Sequence, residues 1–395
     1  MICLTKIVRW VAVKRWRRYL AAFFLAVITI SCDDTHRSQN PEPETNGLQT
    51  VTINNVEPRR DVTGEIIDAH DGCLQFFNGR YYLYGTAYGK TDGFTNNNYR
   101  VYSSPDLEHW TFEGVLLPER PAGIYWRPYV VFNPHTRRYV LWYNWYPKLW
   151  NGQAGVATSD TPVGPFKIAN PNVQLSHPGT GDGSPFVDDD GTGYLIYTSI
   201  SDGFTVRVER LTPDYLDSTG KTSDVLAVGG EAPVMFRRNN FYYALLGPRC
   251  NACPEGSEVQ VFMSASPLGP FASKPDWAIN RRPEINAPTA ITQKAWSATI
   301  LTPTGMVTYH PEKNTPVIAA GSFPFISAQE TWVAKIPTIG EPAFIWMADR
   351  WKSCPDGVMG HNFQYWSPPL KFTQDGNILP IKNVGRWYIS WGPGK

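Results

Sequence analysis

Three carboxyl groups fall at matching places in three stretches that otherwise differ. Asp71 lies in "AHDGCLQFFNG", Asp182 in "GDGSPFVDDDG" and Glu231 in "GGEAPVMFRRN". Each is followed within a few residues by bulky apolar positions and then by a polar turn. A single acid in such a place is best explained as a solvated loop residue, but three in register point to one common site. Carboxyl groups converging from separate elements suit general acid–base work, in which one group gives a proton while another takes one. His70 adjoins Asp71 and either orients it or meets a substrate. Asp68 reads as a loop residue. "DDDG" at 188–191 reads as a tight turn, where Asp and Gly serve the backbone, rather than as a calcium or phosphate site.

Acids placed in this way need a repeated element to carry them, and the chain has one. "NGRYYLYGT" (78–86), "TRRYVLWYN" (136–144), "GTGYLIYTS" (191–199) and "NNFYYALLG" (239–247) each join a polar turn to an apolar β run. Further strands follow at "RVYSSPDLEHW" (100–110), "GVATSDTPVGPF" (155–166) and "VFMSASPLGPF" (261–271), the last two sharing a Pro-(Val/Leu)-Gly-Pro-Phe ending. A fifth unit fits 331–351, after a less regular insertion at about 273–326. The period is that of a propeller blade rather than a hairpin, and almost nothing reads as an amphipathic helix. The expectation is an all-β, five-bladed β-propeller of four-stranded blades, with the inner strands lining a central channel into which the three acids project.

Composition narrows the function classes. A formal net charge of +1 gives no electrostatic reason to expect nucleic acid. Aromatic residues make up 14% of the chain, which suits sheets and also suits sugars, whose apolar faces stack on flat rings. The N-terminus reads as an address. Basic residues to Arg18 precede "YLAAFFLAVITIS", too short for a comfortable bilayer span of roughly 20 residues but right for a signal-peptide core. "ITISC" resembles a bacterial lipobox, in which Cys32 would be lipidated. The polar stretch that follows reads as a tether. The division expected is a leader at 1–31, a tether at 32–58 and the propeller at 59–395, exported and lipid-anchored in a bacterial envelope, in the periplasm or at the outer-membrane surface. Four cysteines would remain, Cys73, Cys250, Cys253 and Cys354, with three pairings open. "CNAC" at 250–253 lacks a second CxxC, a nearby His pair and a βαβ context, so a disulfide or two buried thiols is expected over zinc or a redox pair.

The acid segments and their spacing resemble glycoside hydrolase family 43. "DGCLQFFNGRYYLY" is similar to the family's base segment, usually Asp-Pro; "DGSPFVDDDGTGYLIY" to the segment of the acidity-tuning Asp; and "EAPVMFRRNNFYYALL" to the acid segment, with its Glu-(Gly/Ala)-Pro. The resemblance implies an inverting glycosidase with Glu231 as acid, Asp71 as base and Asp182 as the neighbour whose charge keeps Glu231 protonated. Inversion needs acid and base roughly 6.5–9.5 Å apart, which facing blades can supply.

The tail, in "SAQETWV", "FIWMADRW" and "YWSPPLKFTQDGNI", is similar to the branch containing exo-β-1,3-galactanases. That branch has Gly where Asp71 stands, relies on a Gln corresponding to Gln329, and has a sugar-contacting Glu where this chain has Trp126. In the wider family the second blade often reads Trp-Ala-Pro-Asp, so Tyr129 departs from it. With the Asp present and that Glu absent, an exo-acting α-L-arabinofuranosidase is expected ahead of an exo-β-1,3-galactanase. A non-catalytic glycan-binding propeller and a redox or metal protein centred on "CNAC" are the other classes. His70, Trp126 and Gln329 are the expected substrate-binding residues, and arabinan, arabinogalactan or galactan the expected partners. The membrane is met only through the lipid. No cofactor or metal ligand is required, though the family resemblance leaves calcium in the channel open.

Overall fold

In the computed structural model the described residues are 49–95, 97–248, 258–280, 292–293, 298–302, 305–309, 315–316, 325–338 and 340–391. The leader, Cys32 and "CNAC" lie outside them. The fold is an all-β five-bladed propeller. Blade one comprises His70–Phe77, Arg80–Ala87, Asn98–Ser104 and Thr111–Val115, and blade two Ile124–Asn133, Arg138–Tyr146, Gln153–Ser159 and Lys167–Asn170. Every neighbouring pair is antiparallel. Burial within a blade explains the sequence pattern. The second strands, such as "RYVLWYNWY", are packed on both faces and therefore read as continuous apolar runs, whereas the outermost strand Thr111–Val115 is largely exposed.

Among the described residues a continuous fourth strand is present in blades one and two, and the outer edge differs in the other three. Blade three (Thr180–Val187, Gly193–Ser199, Thr205–Leu211) has two short edge pieces, Ser218–Thr222 and Ala227–Val228. The second of these passes the sheet on to Thr292–Gln293 and Thr315–Pro316, in the segment expected to be an irregular insertion. Blade four (Gly230–Arg238, Phe241–Pro248, Gln260–Ser264) and blade five (Gln329–Ile336, Ala343–Arg350, Phe363–Trp366) each show three strands among the described residues. Their edges are covered differently. Blade four has single bridges at Val259↔Asn280 and Met263↔Ala272. Blade five is capped by the Asn55 carboxamide, which donates to the Trp366 carbonyl and accepts from the Trp366 N–H, both at 2.9 Å.

Asn55 is held there because Gln49–Asn54 pairs with Arg386–Trp391. "TVTIN" alternates polar and apolar, and Val51 and Ile53 are buried, so the chain has joined the fold at Gln49, inside the segment expected to be tether.

One irregularity recurs in all five inner strands. Each carries a register shift near its start, at His70/Cys73, Trp126/Tyr129, Thr180/Gly183, Glu231/Val234 and Glu330/Trp332. An extra residue there bends the strand and re-aims its side chains. The first bulge residue has positive φ in three blades, 49° at Asp71, 53° at Arg127 and 52° at Ala232, a conformation that costs a non-glycine residue about 1–2 kcal/mol. The tightness of the bulge also explains Gly72, since a Cβ there would lie 2.1 Å from the Tyr84 carbonyl oxygen.

Candidate active site

The bulges deliver the acids, but not in the shared register expected of them. Asp71 is the first bulge residue of its blade, Asp182 the second, and Glu231 the last paired residue before the bulge. The register expectation is therefore corrected by one position either way, because a bulge turns successive side chains to one end of the strand where a regular strand would alternate them. All three still line a single cavity of about 840 Å³, together with Trp126, Arg127, Gln329 and Trp351.

Asp71 is buried, and its carboxylate is held from several sides. Thr86 Oγ1 donates to Oδ1 at 2.6 Å, the Tyr88 hydroxyl to Oδ2 at 2.5 Å and the Arg127 backbone N–H to Oδ1 at 3.2 Å. Burial pushes the Asp71 carboxyl up, and the Arg127 charge and the Thr86 and Tyr88 hydrogen bonds hold it back, to about 6. A group poised there is ionised at neutral pH yet basic enough to take a proton.

Its own N–H is fixed by Asp349, whose Oδ2 accepts at 2.6 Å while Oδ1 meets His70 Nδ1 at 2.9 Å. The other His70 nitrogen faces the Gly360 carbonyl at 3.1 Å. Burial pulls the imidazole down, but Asp349, Asp68 and Gly360 together carry it up to about 9. His70 is thus a buried cation whose ring nitrogens both face partners behind the base; it braces Asp349 and is not on the cavity wall. Asp68 does lie in a loop, but it is buried and accepts from the backbone N–H groups of Tyr88 and Gly89 at 2.8 and 2.9 Å, which fixes the segment that brings Tyr88 to Asp71.

Sequence reasoning missed the centre of the network. Arg127, buried on blade two, sends Nε to Asp182 Oδ1 on blade three at 3.0 Å and both Nη groups to the Glu330 carbonyl on blade five at 3.3 Å, while Nη1 also reaches Tyr129 at 3.2 Å. Its backbone N–H reaches Asp71 on blade one, and Asp182 Oδ2 accepts from Ala232 N–H on blade four at 3.1 Å. All five blades are therefore tied through one residue, Arg127, and its partners. Burial pulls Arg127 down, and Asp182, Tyr129 and Asp71 together raise it well above its ordinary value. A calcium ion does not fit the residues at this place, because the cationic position between these acids is taken by Arg127. Elsewhere among the described residues, the Cys354 thiol, which lines the cavity, and Asp356 and His361 beside it bring ligand atoms within 4.8 Å of one another. Their sulfur and nitrogen suit a softer cation than calcium. Cys73, buried, and Cys354 are free thiols.

On the wall, the Trp126 indole donates to the Gly93 carbonyl at 2.9 Å and packs edge-on against Tyr146 at 4.9 Å. Gln329 Oε1 accepts from Trp351 Nε1 at 2.6 Å, which fixes which end of the amide the indole holds. Its neighbour Glu330 is turned away into the core, where burial pushes its carboxyl up to about 8 against the pull of the Trp346 hydrogen bond.

Residues 67–322 match the family model described as glycosyl hydrolases family 43. An arabinoxylan arabinofuranohydrolase of Bacillus subtilis (strain 168) is 29% identical over 266 residues, 52% of this chain and 50% of that protein. Another, from Paenibacillus polymyxa, is 26% identical over 253 residues, 50% of this chain and 38% of that protein. The chain thus spans half or less of the length of these curated relatives. Among solved structures, an exo-β-1,3-galactanase from Clostridium thermocellum aligns with a TM-score of 0.63 and 23% identity, over 85% of this chain and 66% of that one. One from Phanerochaete chrysosporium aligns at 0.64 and 21%, over 86% and 68%. At these identities the structural likeness speaks for the fold.

Proposed function

The chain belongs to glycoside hydrolase family 43, whose members invert at the anomeric carbon, and on that premise we propose that it is an exo-acting α-L-arabinofuranosidase trimming side chains of plant-type polysaccharides. The observation that carries the reading is Asp71, a buried carboxylate on the cavity wall with its lone pairs directed by Thr86, Tyr88 and Arg127. In this mechanism Asp71 takes a proton from water as the water oxygen bonds to the anomeric carbon. On the opposite face the glycosidic C–O bond breaks and its oxygen takes the proton of Glu231. Asp182 holds the Glu231 strand through Ala232 N–H, and Arg127 keeps Asp182 in place. No cofactor enters the reaction. The curated arabinofuranohydrolases of related sequence support the sugar assigned.

A second reading, exo-β-1,3-galactanase, is favoured by Gln329, which lies on the same wall with its amide oriented by Trp351. The two separate on a short panel. Release of arabinose from 4-nitrophenyl α-L-arabinofuranoside, with linear β-1,3-galactan untouched, is the expected result. Release of galactose from the polymer with no action on the arabinofuranoside would reverse the order.

The same proposal places the protein in the bacterial envelope, held by a lipid on Cys32. Cys32→Ala is expected to move it from the membrane to the soluble fraction with glycosidase activity intact. A wild-type protein that fractionates as soluble without detergent would count against the anchor.

A further inference from the structure

Two large apolar side chains stand in solvent on the wall of the cavity that holds the acids. Phe94 is 54% exposed and Trp150 66% exposed. An unburied aromatic forgoes roughly 25 cal/mol per Å² of stabilisation; scattered cases on an outer surface are unremarkable, but two exposed rings lining one cavity define a place. Neither is slack. The Phe94 N–H is bound to Asp92 Oδ1 at 2.9 Å. The preceding Gly93 carbonyl accepts from Trp126 Nε1 at 2.9 Å and Asn97 Nδ2 at 3.0 Å. The Phe94 ring meets Trp126 edge-on at 5.7 Å. Trp150 has φ of 68°, unusual for a bulky residue, in a turn closed by Asn151 N–H to the Lys148 carbonyl at 2.9 Å.

We propose that Phe94 and Trp150 form a binding site for the part of the polysaccharide that departs, gripping the apolar faces of the sugar rings beyond the scissile bond. The assignment rests on the reading of Asp71 and Glu231 as base and acid. Asp71, only 4% exposed, marks the deep end where the terminal sugar is cut, and the two exposed rings line the same cavity, where a chain extending from that sugar toward solvent can meet them. The volume agrees: about 840 Å³ lies high in the range of roughly 300–1,000 Å³ for sites that enclose a drug-sized ligand, which is more than one sugar ring needs. Flat rings recognise the C–H face common to many sugars, so the site sets preference for a polymer over a small glycoside rather than for one backbone.

The test pairs a binding measurement with a ratio of rates. Xylotetraose and β-1,3-galactotriose are titrated calorimetrically into the full chain and into Phe94→Ala, Trp150→Ala and Trp150→Tyr. At least one oligosaccharide is expected to bind the wild type, to weaken about tenfold in each alanine variant, and to recover in Trp150→Tyr. The ratio of kcat/KM on arabinoxylan to that on methyl α-L-arabinofuranoside is expected to fall about tenfold in the alanine variants. Binding that neither alanine variant weakens, or no binding of either probe, overturns the proposal. If the binding pattern holds in a protein that cleaves no glycoside, the functional reading fails while the aromatic site stands as a glycan-binding one.

Discussion

Glu231→Gln is expected to depress hydrolysis of a natural disaccharide by ~10²–10⁴-fold, the range of general acid catalysis, while sparing much more of the activity on an aryl glycoside with an acidic phenol. The reason lies in the leaving group. A sugar alkoxide departs only as it receives a proton, whereas an acidic phenolate departs without help. Asp71→Asn removes the group that activates water, which every substrate needs, so its loss should be of the same order whichever glycoside is used. The two variants also differ in pH dependence. Asp71 works ionised, and its carboxyl is pushed up to about 6 by burial, so wild-type kcat/KM should fall on the acid side of about pH 6. That limb should disappear in Asp71→Asn and persist in Glu231→Gln. Initial rates on the two substrate types across pH 4–9 check both statements. If Asp71→Asn kept near-normal rates while Gln329→Ala lost them, an amide would be standing in for the base and the galactanase reading would gain the site.

The acids were legible because each is embedded in a run whose periodicity marks an inner strand. Their exact offsets were not, since a bulge adds one residue that a period of two cannot reveal. The same bulge hid Arg127. In "YWRPYVVFN" it holds the place before an apolar run that Asp71 holds in "AHDGCLQFFN", and that alignment was the available signal. Asp349 left a fainter trace, as one acid at the end of the apolar strand "AFIWMADR" of blade five. What it binds, the backbone of Asp71 some 278 positions earlier, is set by the closure of the ring and by no local pattern. Blade edges were illegible for a related reason: a side chain such as Asn55, or a strand from a distant segment, can finish a blade without resembling its fourth strand.

Arg127→Met tests whether the five-blade network carries both stability and chemistry. The guanidinium is buried, with Asp182, itself 18% exposed, against it at 3.0 Å, and removing it leaves the charges of Asp182 and of the buried Asp71 uncompensated, at up to about 3–5 kcal/mol. Unfolding by urea should register a loss of that size. Arg127→Lys should recover only part of it, because an ammonium cannot reproduce the planar fork that serves Asp182, Tyr129 and the Glu330 carbonyl together. The informative variant is the double, Arg127→Met with Asp182→Asn, which removes the charge left uncompensated at Asp182 and leaves only that of Asp71. Stability should return toward the wild type, giving a coupling energy within the ~0.5–3 kcal/mol typical of residues in contact. Activity should stay low, since nothing then fixes the blade-three side chain that holds Ala232, and through it the acid, against the base. A double variant that regained rate along with stability would reduce Arg127 to a structural counter-ion; one that regained neither would mean that its bonds to blade five, rather than its charge on Asp182, hold the inner strands in place.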